Sequence, residues 1–231
     1  MIELLFCVTR VKLFYQINKT NRLNLILNNI SKKYGSHTVL AFEDWRISSG
    51  VYWLKGGNGT GKTTFFRIIS GQTPFDGEVL FDDLSLKKDP IKFKQRISYA
   101  EAEPQYPLFI SGRELLNFYK DIRSVHQDEV NRLTTLFEMT EFLDQKVGGY
   151  SSGMLKKLSL ICALLGDVEL YILDEPLITI DTASADKLYD FIKQKVKEGK
   201  SFLLSSHQDI DTEKIFIDGV FKIADKEIVK C

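Results

Sequence analysis

The chain has 231 residues, 44% of them hydrophobic, enough for one globular domain or a core domain with a small attached subdomain. Lys plus Arg and Asp plus Glu number 31 each, so the net charge is zero. This speaks against a nucleic-acid binder, whose affinity for phosphate backbones comes from excess positive charge.

The opening stretch MIELLFCVTRVKLFYQIN is apolar but short and is broken by Arg10 and Lys12. It lacks a positive leader and a small-residue cleavage site, so no signal peptide is expected. Residues 1–23 read as an extension, either interfacial, partner-contacting or simply upstream of the domain. No apolar run reaches the roughly 20 residues that span a bilayer. Cys7, Cys162 and Cys231 stand far apart, without metal-ligand or redox spacing, as expected of reduced thiols in the cytosol. The final IVKC is not a prenylation tail.

In LNLILNNISKKYG, residues 23–35, apolar and polar residues alternate at Leu25, Leu27 and Ile30, predicting a half-buried strand. Tyr34-Gly35-Ser36 is turn chemistry, and TVLAFEDWRI reads as a second strand. VYWLK is a short apolar run, TTFFRIISG a helix closed by Gly71, and DGEVLFDD a turn entering a strand. Over residues 111–165 the period changes to about 3.6, in RELLNFYKDI, EVNRLTTLFEM and MLKKLSLICALL, predicting a helical insert. The strand and helix pattern resumes with ELYILDEP, KLYDFIKQKVKE and SFLLSSH. Short apolar strands alternating with helices predict an α/β fold with a parallel sheet covered on both faces.

Gly56-Gly57-Asn58-Gly59-Thr60-Gly61-Lys62-Thr63 satisfies G-x-x-x-x-G-K-[ST] between a strand-like and a helix-like run. The glycines let successive N–H groups point inward, and the helix start adds its positive dipole end. Lys62 can reach the β- and γ-phosphates of a nucleotide, and the Thr63 hydroxyl can ligate Mg²⁺. This loop by itself does not separate kinases, GTPases, helicases and transport ATPases. In LYILDEP, Asp174 and Glu175 end a buried strand, which is costly unless the carboxylates are used. Asp174 can take the Mg²⁺, and Glu175 can polarise a water aimed at the γ-phosphate, favouring hydrolysis over transfer. Ser151 and Gly153 stand just before an amphipathic helix, a second helix end suited to an anion. One economical explanation of two phosphate-binding helix ends on different segments is that the second grips the nucleotide of another copy.

From about residue 24 to 230 these elements, in this order, resemble the ATP-binding subunit of ABC transporters. The resemblance implies a P-loop NTPase core with an antiparallel β subdomain on its N-terminal side and an inserted α-helical subdomain at about 105–165. Tyr34 stands where an aromatic ring stacks on adenine. GGNGTGKTT, through Thr64, is the Walker A loop. YSSGM, with Ser151, Ser152 and Gly153, is at the signature position, in a form similar to subunits paired with ABC-2-type membrane proteins, often exporters. ILDEP is the Walker B strand with its catalytic glutamate. Asp181 falls at the D-loop and His207 at the switch histidine, a contact to the γ-phosphate.

The implied function is ATP hydrolysis by a pair of ATPase subunits, homo- or heterodimeric, that clamp ATP and Mg²⁺ and drive transport through a separate integral membrane permease. The expected location is cytoplasmic, peripheral on the inner face of the cell membrane. The alternatives are a soluble ABC-type ATPase not engaged in transport and a small-molecule phosphotransferase. Three segments depart from the family pattern. The glutamine usual after the strand ending near ISY is replaced by Ala102, with Glu101, Glu103 and Gln105 nearby but out of register. The signature carries Ser152 and Met154 where glycine and glutamine are usual. The D-loop reads ITID instead of ending in GLD.

Overall fold

A computed structural model describes residues 23–231, so the extension read over residues 1–23 lies, but for Leu23, outside the described residues. Two sheets share the chain. The first is antiparallel, in the order β2-β1-β4-β5, with β1 Asn24–Tyr34, β2 His37–Ser48, β4 Asp76–Phe81 and β5 Leu84–Ser85. The second has the order β10-β9-β3-β8-β7-β6, with β3 Val51–Lys55, β6 Ile97–Ala100, β7 Leu170–Leu173, β8 Ser201–Ser206, β9 Gly219–Ala224 and β10 Glu227–Lys230. It is parallel except for β10, which pairs antiparallel with β9.

The side-chain alternation of a strand sorts this sheet into two cores. Val51, Trp53, Tyr171, Leu173, Phe202 and Leu204 face one apolar cluster; Tyr52, Leu54, Leu170, Ile172 and Leu203 face the other. The first is built with α3 Gly112–Arg123, α4 Gln127–Leu136, α5 Ser152–Leu164 and α6 Thr182–Lys197. The second is closed by α1 Lys62–Ile69, α2 Pro90–Arg96 and the antiparallel sheet. The expected parallel sheet is thus covered on both faces, one of them largely by strands.

Local chemistry explains the element ends. α1 buries Phe65, Phe66, Ile68 and Ile69 and stops in a Schellman motif, where Gly71, at φ 67°, donates to Ile68 O at 3.1 Å and Gln72 donates to Arg67 O at 2.8 Å. α3 opens with a capping box: Ser111 Oγ accepts from the Glu114 amide at 3.1 Å, and Glu114 Oε2 accepts from the Ser111 amide at 2.7 Å. Pro90 at the first turn of α2 is pre-set in φ for a helix start.

β1 holds a bulge that explains an irregularity in its apolar spacing. Asn29 takes φ 52°, and the register against β4 shifts between Asn28 and Ser31. The extra residue resets the alternation, so Leu25, Leu27 and Ile30 are all buried although the last two are three positions apart. Gly77 lies against the bulge at φ 101°, and a Cβ there would meet Asn29 O at 2.4 Å. Backbone cannot yield as a side chain does, so Gly77→Ala is expected to destabilise the fold by about 2–4 kcal/mol. The check is a lowered urea midpoint with an unchanged m-value.

The C-terminal hairpin of β9 and β10, α2 and the short β5 carry no prediction from sequence periodicity. The hairpin turns on Asp225 and Lys226, both left-handed at φ 49° and 72°, a two-residue turn whose usual sequence marker is Asn-Gly.

Candidate functional site

Parallel strands place all their C-terminal ends on one edge of the sheet, where the loops that follow them meet. The loops after β3, β6, β7 and β8 carry, in turn, Gly56 to Gly61, Glu101 with Ala102, Asp174 with Glu175, and His207.

The glycine loop runs from Lys55 to the start of α1. Gly59 and Gly61 take φ 77° and 104°, backbone that an L side chain strains to adopt. Thr60 Oγ1 donates to Gly57 O at 3.0 Å, and the Gly56 amide donates to Ser206 O at 3.3 Å, tying the loop to the end of β8. Asn58 is exposed at the tip; Thr63 and Thr64 lie half-buried in the first turn of α1. The Lys62 ammonium is buried. It donates to Gly56 O at 2.6 Å and Gly57 O at 3.0 Å, and stands 3.2 Å from Glu175 Oε1. That last approach is an ion pair, with two of the three ammonium hydrogens given to the glycine carbonyls. Glu175 Oε1 is buried and takes part in this ion pair without a hydrogen bond of good geometry.

Glu175 adopts φ 47°, rare for a glutamate. Its Oε2 accepts from the His207 amide at 3.2 Å and lies 3.1 Å from His207 Nδ1. Ser205 Oγ joins both acidic residues, donating to Asp174 Oδ1 and accepting from the Glu175 amide at 2.8 Å. Asp174 is fully buried; its amide donates to Ala100 O at 2.9 Å, and Tyr99 Oη donates to Oδ2 at 3.4 Å. Burial, reinforced by the Asp174 and Glu101 charges, holds the Tyr99 phenol well above its ordinary pKa, so it stays a donor.

Ser151, Ser152, Gly153 and Asp181 form a second group. Ser151 caps α5, its Oγ accepting from the Met154 amide at 3.2 Å. A Cβ on Gly153 would meet Thr179 O at 2.7 Å, and Thr179 Oγ1 donates to Ser152 O at 3.4 Å, so the turn before α5 packs on the turn before α6. Asp181 caps α6, accepting from the Ser184 amide at 2.8 Å, and pairs with Lys157 at 2.6 Å. The Lys157 hydrogen bond, with those from Ser184, holds its carboxyl far below the usual carboxylate range. Tyr34 stands apart at the end of β1, half exposed, with Lys32 Nζ 4.4 Å from its ring centroid.

Reading the sequence did not single out Lys156 or Ser205. The signal available for Lys156 was a lysine on the apolar face of a predicted helix. Its ammonium is buried and donates to Asp174 O at 2.7 Å, Glu101 O at 2.8 Å and Ala102 O at 3.3 Å. Burial pushes its pKa down to about 8 against the pull of Asp174, Glu175 and Glu101. Ala102 offers only a methyl group, and Glu103 and Gln105 are exposed. Burial also pushes the Cys162 thiol up, which keeps it unreactive.

The sequence pattern of ABC transporters matches residues 44–178. The chain is 31% identical over 169 residues to the cytochrome c biogenesis ATP-binding export protein CcmA of Legionella pneumophila, covering 72% of this chain and 84% of that protein. It is 29% identical to the ABC transporter ATP-binding protein NatA of Bacillus subtilis, over 78% of this chain and 75% of NatA. The solved structure of an ATP-binding subunit of an ABC transporter shares the fold, with a TM-score of 0.78, 23% identity and coverage of 90% of this chain and 89% of that one. A glycine cradle, a buried acidic strand end and a strand-end histidine on one edge of the sheet, together with these matches, make the chain an ATP-binding ATPase subunit belonging to the ABC transporter family.

Proposed function

We propose that the chain hydrolyses Mg²⁺-bound ATP between two ATPase subunits and thereby drives export through a separate integral membrane permease. The observation that carries this reading is Glu175 Oε1, a buried carboxylate oxygen without a hydrogen bond of good geometry, beside the Lys62 ammonium. A buried acceptor left unsatisfied is costly, and a water bound for the γ-phosphate supplies the missing hydrogen bond.

In this reading the amides of Gly56 to Gly61 cradle the phosphates, helped by Thr64, and Lys62 binds the β- and γ-phosphates. Glu175 orients the attacking water and accepts its proton. His207 turns Nδ1 to Glu175 and has Nε2 left for the γ-phosphate; donating to both acceptors takes a proton on each ring nitrogen. Thr63 and Asp174 are the metal ligands. One carboxylate and one hydroxyl would suit magnesium, a hard cation that proteins bind through few oxygen ligands. The ion, when bound, neutralises charge on the phosphate oxygens. Tyr34 stacks on adenine. Ser151, Ser152 and Gly153 of one subunit face the γ-phosphate held by the other, with Asp181 beside that contact.

Residues 24–231 form the ATPase unit, and its helical part at about 105–165 docks the permease. Leu108, Phe109, Phe118 and Ile122 are exposed there, apolar side chains suited to a membrane protein's cytoplasmic helix. No helix among the described residues is long and apolar enough to cross a membrane; in this reading contact with the permease holds the subunit peripherally on the inner face. Export is proposed on the YSSGM signature and on the resemblance to a protein named for export.

The test is phosphate release from Mg²⁺-ATP by the purified chain, together with recovery of a polytopic protein when the tagged chain is drawn from solubilised membranes. Lack of nucleotide-dependent phosphate release sinks the ATPase reading; hydrolysis without any membrane partner favours a soluble ATPase. His207→Ala is expected to lower kcat about 100-fold, with ATP binding retained, since it removes one donor aimed at developing charge. A single-turnover assay reads that difference directly.

A further inference from the structure

Lys156 carries a charge that packing alone does not require. It is fully buried on the apolar face of α5, where leucine or methionine would fill the volume without desolvating an ammonium. Its hydrogens go to three main-chain carbonyls on two other segments: Glu101 and Ala102 after β6, and Asp174 at the end of β7.

The Asp174 carbonyl and the Glu175 amide belong to one peptide plane. Lys156 Nζ donates to the carbonyl at 2.7 Å, and Ser205 Oγ accepts from the amide at 2.8 Å, so the plane is held at both edges. The residue that follows, Glu175, is the one in the left-handed region at φ 47°. Such a conformation persists only where its surroundings over-determine it. A relaxed peptide would swing the carboxylate away from Lys62 and His207.

We propose that Lys156 is a positioning residue for hydrolysis, clamping the Asp174–Glu175 peptide so that the Glu175 carboxylate stays aimed, and fixing the Glu101–Ala102 segment to the same ammonium. The proposal rests on Glu175 being the residue that activates water. It gives α5, whose N-terminus carries Ser151, a direct tie to the hydrolytic carboxylate.

The test uses the full chain with Lys156→Met, which keeps the volume and loses the donors, and Lys156→Gln, which keeps donors on a shorter stem. Lys156→Met is expected to lower kcat about 10- to 100-fold, with KM for ATP within about twofold of the parent. Lys156→Gln is expected to fall between. Independently of activity, amide hydrogen exchange should accelerate in the peptides covering residues 99–105 and 172–178, and not in those covering α3 and α4. A folded Lys156→Met chain with parental kcat and parental exchange in those peptides overturns the proposal. So does failure of both variants to fold, which would make the lysine purely structural. If the parent chain itself releases no phosphate, the ATPase reading fails, and the exchange comparison still decides whether Lys156 clamps the peptide.

Discussion

Glu175→Gln is expected to lower ATP hydrolysis about 10²- to 10⁴-fold, the usual contribution of a general base, while ATP stays bound and two chains stay closed around it. The amide is nearly isosteric with the carboxylate, so an oxygen remains to accept from the His207 amide. The Glu175 amide also keeps its bond to Ser205, because that contact uses the main chain. What is lost is proton affinity at Oε1, the atom next to Lys62. Phosphate binding does not need that charge, and removing a competing anion beside Lys62 should leave affinity equal or higher. Two measurements separate the parts of this expectation. Phosphate release tests the base. Sedimentation in Mg²⁺-ATP tests the pair, which should appear as a dimer in the variant and revert with ADP. A variant that hydrolyses at the parental rate takes Glu175 out of the mechanism. A variant that binds ATP, fails to hydrolyse it and remains a monomer removes the shared-nucleotide arrangement and leaves the base intact.

Lys62→Met carries the second large effect, and it acts in two ways. ATP binding is expected to weaken about 30- to 1,000-fold, the cost of deleting a buried cation from a charge-assisted phosphate contact. Titration with a fluorescent ATP analogue reads this, and a Kd within about twofold of the parent would be incompatible with the role given to Lys62. The fold should also lose stability, by about 3 kcal/mol, because both members of the pair with Glu175 are nearly buried and a lone buried carboxylate is left behind. A double-mutant cycle isolates that term. With Glu175→Gln in place, Lys62→Met should cost distinctly less stability, since no buried charge is then abandoned. An equal cost in both backgrounds would assign the loss to packing of the lysine stem.

The legibility of this chain depended on how local each signal was. The Gly56 to Thr63 cradle was readable because its glycines, its lysine and the flanking strand and helix are contiguous, and each residue type is needed for a nearby backbone shape. β7 was readable as a continuous apolar run and β8 by its Phe202–Leu204 centre, as strands buried on both faces are. The helices from Gly112 to Leu164 were readable by period, and the Ser151 cap by residue type. The final hairpin was not readable, because Asp225 and Lys226 adopt left-handed backbone under tertiary constraint instead of advertising it with glycine. The bulge at Asn29 was half-visible, as an apolar spacing of three between Leu27 and Ile30 that only the pairing with β4 explains.

The sequence by itself determined the residue types that can hold phosphate and activate water, and the order of strands and helices that carries them, because periodicity and glycine chemistry act over a few residues. The tertiary structure decided which of those residues meet. Parallel pairing of β3, β8, β7 and β6 brings loops from distant segments to one edge. There Lys62 faces Glu175, His207 turns its Nδ1 to the same carboxylate, and Lys156 reaches through from α5 to the Asp174 carbonyl. Those contacts join positions far apart in the chain, and no local pattern encodes a hydrogen bond whose partner is fixed by sheet order.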